Sequence, residues 1–335
     1  MEKKIIKVKC QNGLSFSTFK EEVFDKNGVS EMFELVESNH PDVVIFGPYG
    51  NDIPPKGNYI RVGYYCECIK PDLSNCEWAF GVPTVKEVDN TRYRRIQFHG
   101  LNPRSLQKNI NIEEEFSKKT KFCNFLYSNA IPHREEFFRQ LSKYKKVDSP
   151  GKSMNNMPSI DTQYKGDKWE IKRQFLNSYK FTIAFESYAY PGYQTEKLYD
   201  AIKANSIPIY CGDPLVNNVF NSKSMVNTAS YLPVHNPPAV QLLENNCLYS
   251  FKDYLPATYN SLYYKIRRKL KTLGKIKKMK LQLNNLDFSP LIDRIIELDK
   301  NPESYLKMLA EPFLNDNKIE DSTKFRWMTI FNEVG

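Results

Sequence analysis

The sequence predicts two α/β units, each carrying a parallel sheet, joined by a polar linker. Three observations carry that prediction. The chain is 335 residues long, about twice a typical domain of ~150 residues. Apolar runs of strand length alternate with stretches of helical spacing, the pattern of strands covered on both faces. The alternation stops once, at a charged segment near 97–121, and then starts again.

The elements follow in order. Residues 4–10 read as a strand, 30–37 as a helix capped by Ser30, and 43–46 as a fully buried strand. Strands follow at 59–65 and 78–82, and the linker at 97–121 centres on the acidic run 111–115. In the second unit 121–127 is a strand, and 134–141 a helix with Phe137, Phe138 and Leu141 at helical spacing. A buried strand at 181–185, a helix at 195–205 and a strand at 207–210 follow, closed by Gly212-Asp213-Pro214, in which Asp213 reads as a turn residue. Asn236-Pro237-Pro238 breaks this pattern. A basic helix is then predicted over 263–283, with Tyr263, Ile266, Leu270, Leu273 and Ile276 on one side and Gly274 weakening it. A helical pair at 291–298 and 302–309 precedes a stretch holding Phe325, Trp327 and Phe331. Two such units place a ligand cleft between them, beyond the carboxyl ends of the strands.

Composition excludes several classes. Aromatics at 13 %, with 14 glycines and 20 prolines, argue against disorder and against a fibrous repeat. The longest apolar runs are strand-sized, whereas a membrane span needs about 20 residues, and the N-terminus lacks the apolar core of a signal peptide. Seven irregularly spaced cysteines make no disulfide framework. A soluble, cytoplasmic protein is therefore expected. The formal charge of +9 comes from 48 Lys and Arg against 39 Asp and Glu. Nine of the basic residues fall in 265–280, which contains no acid, so the other 319 residues are formally neutral. A nucleic-acid binder with a basic stripe across a whole domain is disfavoured, and no nucleic acid is expected as a partner. The basic segment itself reads either as an amphipathic helix making peripheral contact with an anionic membrane through 263–283, or as a solvated excursion.

The densest chemistry lies in the run 185–200, FESYAYPGYQTEKLYD. A buried strand enters a polar loop, and a helix starts near Thr195. The first turn of a helix offers unbonded N–H groups and partial positive charge to a phosphate. Lys197 adds a full charge, Gly192 lets the backbone approach a ligand closely, and Glu196 offers a carboxylate to a pair of sugar hydroxyls. A solvated helix start accounts equally well for Glu196 and Lys197. Cys66, Cys68 and Cys76 lack the second pair of ligands that zinc spacing requires and read as buried thiols. His40, His99, His133 and His235 stand singly and read as packing or surface residues.

The same run resembles the donor-binding motif of family 10 glycosyltransferases, the α1,3/4-fucosyltransferases that use GDP-fucose. The matching residues are Phe185-Glu186, 192–197 (GYQTEK), 207–210 (IPIY), Gly212-Asp213-Pro214 and Val226-Asn227. Ser187 stands where the family has Asn, and Cys211 where it has Trp. Phe125, Ser128, Asn129, Arg134 and Phe137-Phe138 resemble a second family pattern. Gly63 to Glu67, Trp78 to Gly81, and Asn90, Arg92 and Tyr93 echo N-terminal ones, with Cys68 replacing an Asn. The resemblance extends to the helix starting at Asn301 and breaks over about 232–286, an insertion that contains the basic segment.

The resemblance implies a GT-B fold of two Rossmann-like domains facing across a cleft: an acceptor domain at 1–118 and a donor domain at 119–315. The segment 316–335 would pack back on the first. It implies an inverting, metal-independent enzyme that needs no cofactor beyond its donor substrate and acts on an N-acetylglucosamine-containing glycan. Glu67 would be the general base, and Arg134 with Lys197 the diphosphate clamp. Ser187 and Tyr193 would bond the diphosphate or fucose, and Glu196 the ribose. Ser128, Asn129, Glu186, Gly192 and Thr195 are further cleft candidates. Ser187 and Cys211 leave open another nucleotide-sugar donor. A non-catalytic glycan- or nucleic-acid-binding protein on this scaffold is the third reading.

Overall fold

The computed structural model describes residues 3–67, 69–96, 99–187, 189–232, 238, 259–283, 286–319 and 323–335. Two parallel sheets organise it, as the alternation predicted. The first contains β1 (Lys4–Gln11), β2 (Phe33–Glu37), β3 (Val43–Phe46), β4 (Ile60–Tyr65), β5 (Trp78–Gly81) and β6 (Tyr93–Arg95), in the order β2-β1-β3-β4-β5-β6. The second contains β7 (Lys121–Asn124), β8 (Val147–Asp148), β9 (Tyr179–Phe185), β10 (Ile207–Cys211) and β11 (Val226–Asn227), in the order β11-β10-β9-β7-β8. Every pairing in both sheets is parallel.

Ten α-helices are described: α1 (Phe16–Phe19), α2 (Val85–Val88), α3 (Ile112–Ser117), α4 (Pro132–Leu141), α5 (Lys168–Asn177), α6 (Glu196–Lys203), α7 (Leu262–Leu283), α8 (Ser289–Lys300), α9 (Pro302–Ala310) and α10 (Thr323–Phe331). The basic helix forms despite Gly274. The rest of the segment about 232–286 lies largely outside the described residues, as do Cys68, His235 and Asn236-Pro237.

The expected helix at 30–37 is not there. A short 3-10 turn, Val29–Glu31, leads into β2, in which Phe33 and Leu35 are buried while Glu34 is exposed. That alternation has a period of two, so a helix would turn one of the buried side chains toward water. Ser30 instead hydrogen-bonds Asp25. The linker is also packed: Leu101 and Leu106 are buried against Leu198 and Tyr199 of α6, and Asn111 caps α3 through the amides of Glu113 and Glu114.

At the other end of the chain, α10 returns to the first sheet. Trp327 stacks on Phe80 with centroids 4.5 Å apart, and with Ile330 and Phe331 it joins the core that holds Ile6, Val8 and Phe24. The Trp78 indole N–H donates to Glu333 at 2.9 Å.

In the second sheet β8 and β9 lie on opposite sides of β7. The chain therefore reverses its direction of travel between β7 and β9, and the connections leaving the carboxyl ends of these strands part, the arrangement that makes a crevice there. α4 follows β7, and the 186–195 loop follows β9.

Candidate active site

The loop after β9 is closed on itself by a buried carboxylate. Glu186 is 1 % exposed, and its Oε1 accepts from the Thr195 amide at 2.9 Å and from the Thr195 hydroxyl at 2.8 Å. Its other oxygen lies 3.4 Å from Lys197 Nζ. Burial raises the Glu186 pKa, against the pull of Lys197. Thr195 caps α6, whose Leu198, Ala201 and Ile202 face the sheet core and leave Glu196 and Lys197 at the open end. Lys197 also meets Glu196 at 3.1 Å.

Asp213, read from sequence as a turn residue, is a second clamp on this loop. Its carboxylate accepts from the Gly192 amide at 2.6 Å, from Gln194 Nε2 at 2.7 Å and from the Leu215 amide at 2.7 Å. Gly192 has φ +84°, a conformation that glycine adopts without strain. A Cβ there would also lie 2.1 Å from Nη2 of Arg95, which reaches across from the end of β6.

Arg134, in the first turn of α4, is 2 % exposed. Its guanidinium lies over the Tyr127 ring, 4.3 Å from the centroid, and Nη2 donates to Ser187 Oγ at 3.1 Å. Its Nε is buried without a hydrogen-bond partner, and none of the described ion pairs gives it a carboxylate. A buried guanidinium without a counter-ion is costly, and this one sits beside the opening between β7 and β9.

A cavity of about 810 Å³ lies between the units. On the first unit its wall includes Glu21, Glu22, Lys26, Cys66, Glu67 and His99, and on the second Ser187, Tyr193, Thr195, Glu196 and Lys197. Glu67 follows the end of β4 and accepts a 3.0 Å hydrogen bond from the Tyr193 hydroxyl, so the two units touch at this carboxylate. Burial beside Glu67 pushes the Cys66 thiol up to about 11. Among the described residues no group of three His, Cys, Asp or Glu side chains could hold a metal ion.

The structure thus brings Glu67, Ser187, Tyr193, Thr195, Glu196 and Lys197 to one cavity, with Arg134 behind Ser187. Glu186 and Gly192 lie inside the loop and shape it instead of lining the cavity. Ser128 and Asn129 are exposed beyond β7 and do not line it. Three contributors were missed. His99, read as a packing or surface residue, lines the wall and has Nδ1 3.0 Å from the Tyr64 hydroxyl. Burial, helped by Lys26, lowers its pKa from 6.5 to about 4. The start of α5 supplies Trp169, Glu170 and Arg173; its signal was present in the cap Asp167 followed by apolar Ile171 and Phe175. Arg95 carried no local signal at all.

Residues 116–283 match the C-terminal part of glycosyltransferase family 10 (fucosyltransferase). Over 146 residues the chain is 36 % identical to a putative fucosyltransferase of Acanthamoeba polyphaga mimivirus, covering 42 % of this chain and 24 % of that protein. Over 120 residues it is 35 % identical to the alpha-(1,3)-fucosyltransferase FucT of Helicobacter pylori, covering 36 % of this chain and 23 % of that protein. The match spans about a quarter of the length of each of these two relatives. A crystal structure of an alpha1,3-fucosyltransferase with GDP-fucose superimposes with a TM-score of 0.62 at 20 % identity, covering all of this chain and 91 % of that one. The fold is therefore GT-B, as the resemblance implied.

Proposed function

The chain belongs to glycosyltransferase family 10, the fucosyltransferases, and from that premise we propose that it moves L-fucose from GDP-β-L-fucose to a hydroxyl of an N-acetylglucosamine-containing glycan, forming an α1,3 linkage with inversion. In that step the bond from the anomeric carbon to the diphosphate breaks, and its electron pair leaves with GDP. The acceptor oxygen bonds the opposite face of the same carbon, and its proton passes to Glu67. Base and leaving group then stand on different walls of the cleft, an arrangement suited to the opposite faces of the anomeric carbon that inversion requires.

The observation that carries this reading is the 3.0 Å contact between Glu67 and Tyr193, which sets the carboxylate of one unit against the donor-side loop of the other. Arg134 is the natural partner of the diphosphate, since a planar fork already desolvated beside Ser187 gains a counter-ion when the donor binds. Lys197 and the first turn of α6 add charge where the departing oxygen becomes negative. Glu196, on the rim, is offered to the ribose. Because the clamp consists of side chains, transfer without a metal is part of the proposal.

The test is GDP release when the protein is mixed with GDP-fucose and an N-acetyllactosamine acceptor, with and without chelator. Turnover that survives chelation and is lost in Glu67→Gln supports the reading. Turnover with another nucleotide sugar, but not with GDP-fucose, overturns the donor assignment. Absence of any nucleotide-sugar turnover overturns the enzymatic one.

A further inference from the structure

The helix α7 takes no part in this chemistry, and its surface carries a feature found on no other described helix. Leu262, Tyr263, Ile266, Leu270 and Leu273 are between 52 % and 73 % exposed, and they are five of the eleven exposed large hydrophobics among the described residues. At ~100° of rotation per residue they fall within an arc of about 100°, one continuous stripe along the first three turns. A stripe of that extent on a soluble surface marks an interaction site.

The charge around it indicates the partner. Nine Lys and Arg and no acid lie in 265–280, and Lys265, Lys269, Lys277 and Lys280 are exposed. The C-terminal turns anchor the helix, with Met279 buried and Leu283 packed on the second core. Its N-terminal end abuts the first unit: Tyr259 packs edge-on to Tyr49 at 5.8 Å, and the Asn260 amide donates to Asn51 Oδ1 at 2.9 Å. Tyr49 and Asn51 follow β3, at the same carboxyl edge of the first sheet as Glu67.

We propose that α7 docks the protein on an anionic lipid bilayer, with the Leu, Ile and Tyr stripe entering the boundary between headgroups and acyl chains and the lysines facing lipid phosphates. Basic charge beside an exposed apolar stripe is the combination an anionic interface binds. A nucleic acid would use the lysines but not Leu262, Ile266, Leu270 and Leu273, which offer neither stacking nor hydrogen bonds. Docking in this way brings the carboxyl edge of the first sheet toward the bilayer, where a membrane-borne acceptor would present its sugar.

The experiment is co-sedimentation of the full chain with phosphatidylcholine vesicles, with and without ~30 % phosphatidylserine. Binding is expected with the anionic vesicles only. It should weaken as salt rises, fall by about fivefold for each of Lys269→Gln and Lys277→Gln, and fall more than tenfold in Leu270→Asp/Leu273→Asp. These side chains are exposed, so the urea midpoints of the variants should match the parent. Equal sedimentation with neutral vesicles, undiminished binding of Leu270→Asp/Leu273→Asp, or displacement from vesicles by single-stranded RNA would each overturn the proposal. None of these readouts depends on catalytic activity.

Discussion

Tyr193 donates a 3.0 Å hydrogen bond to Glu67 Oε2, across the gap between the two units. The phenol comes from the loop after β9 and the carboxylate from the end of a strand in the other sheet, so this bond ties the two walls together at the carboxylate, as the Tyr190 hydroxyl does at Glu87 at 2.9 Å. Glu67→Gln is expected to lower the rate of GDP release by ~10²–10⁴ while leaving the melting temperature unchanged. Tyr193→Phe keeps the ring, removes the hydroxyl that bonds Glu67, and should cost about tenfold. Near-parental turnover in Glu67→Gln would refute the base assignment.

Arg134 should be the main source of nucleotide affinity. Arg134→Lys keeps the charge but loses the planar fork and the contact with Tyr127, so calorimetry should record GDP binding weakened by about tenfold to a hundredfold. Ser187→Ala, which removes one hydroxyl partner, should weaken it far less. If both variants bind GDP like the parent, the diphosphate lies elsewhere.

Gly192→Ala should destabilise the chain through two separable causes. The left-handed backbone costs ~1–2 kcal/mol for alanine, and the new methyl meets the Arg95 guanidinium. In an Arg95→Ala background only the first cost remains. A double-mutant cycle from urea unfolding should therefore show positive coupling between the positions; strict additivity would refute the contact.

His99 sets a pH dependence of stability. Its folded-state pKa lies near 4, below an ordinary 6.5, so between those values the unfolded chain binds the extra proton. Stability then falls as pH drops through that interval, with a slope of at most ~1.4 kcal/mol per pH unit. His99→Gln keeps a partner for the Tyr64 hydroxyl and should flatten the slope. Urea midpoints measured across the interval decide it; an unchanged slope would assign the effect to other groups.

Trp327→Ala should cost ~3–5 kcal/mol, the range for emptying a large aromatic site. The loss belongs to the first unit, because Trp327 packs against Phe80, Phe24 and Tyr64. Hydrogen exchange should show β1 and β5 losing protection while β9 and β10 keep theirs.

What could be read from the sequence depended on how local the signal was. Strands buried on both faces, such as β3 and β9, announce themselves as apolar runs, and the 185–197 loop carries its pattern in contiguous residues. The segment 30–37 misled because Ser30, Glu31 and Leu35 suit a helix, while the two-residue alternation of Phe33 and Leu35 was the signal that tertiary pairing with β1 selects. Arg95 and Gly192 meet across two sheets, and His99 lines the cavity from the segment that packs against α6. Such encounters depend on how the sheets are placed, which no local window encodes. Asp213 was legible as a turn residue, but its grip on Gly192 and Gln194 needs the loop closed first.

The return of α10 to the first sheet also orders events during synthesis. The unit whose strands are made first, residues 4–95, is missing Trp327, Ile330 and Phe331 from its core until α10 has left the ribosome. The second unit, whose strands end at Asn227 and whose covering helices end at Ala310, has all of its main core by then. The usual amino-to-carboxyl order of domain completion is thereby inverted. A nascent chain stalled before residue 323 would hold a finished second unit and an open first unit, and would expose the face of the first sheet that a chaperone would have to cover.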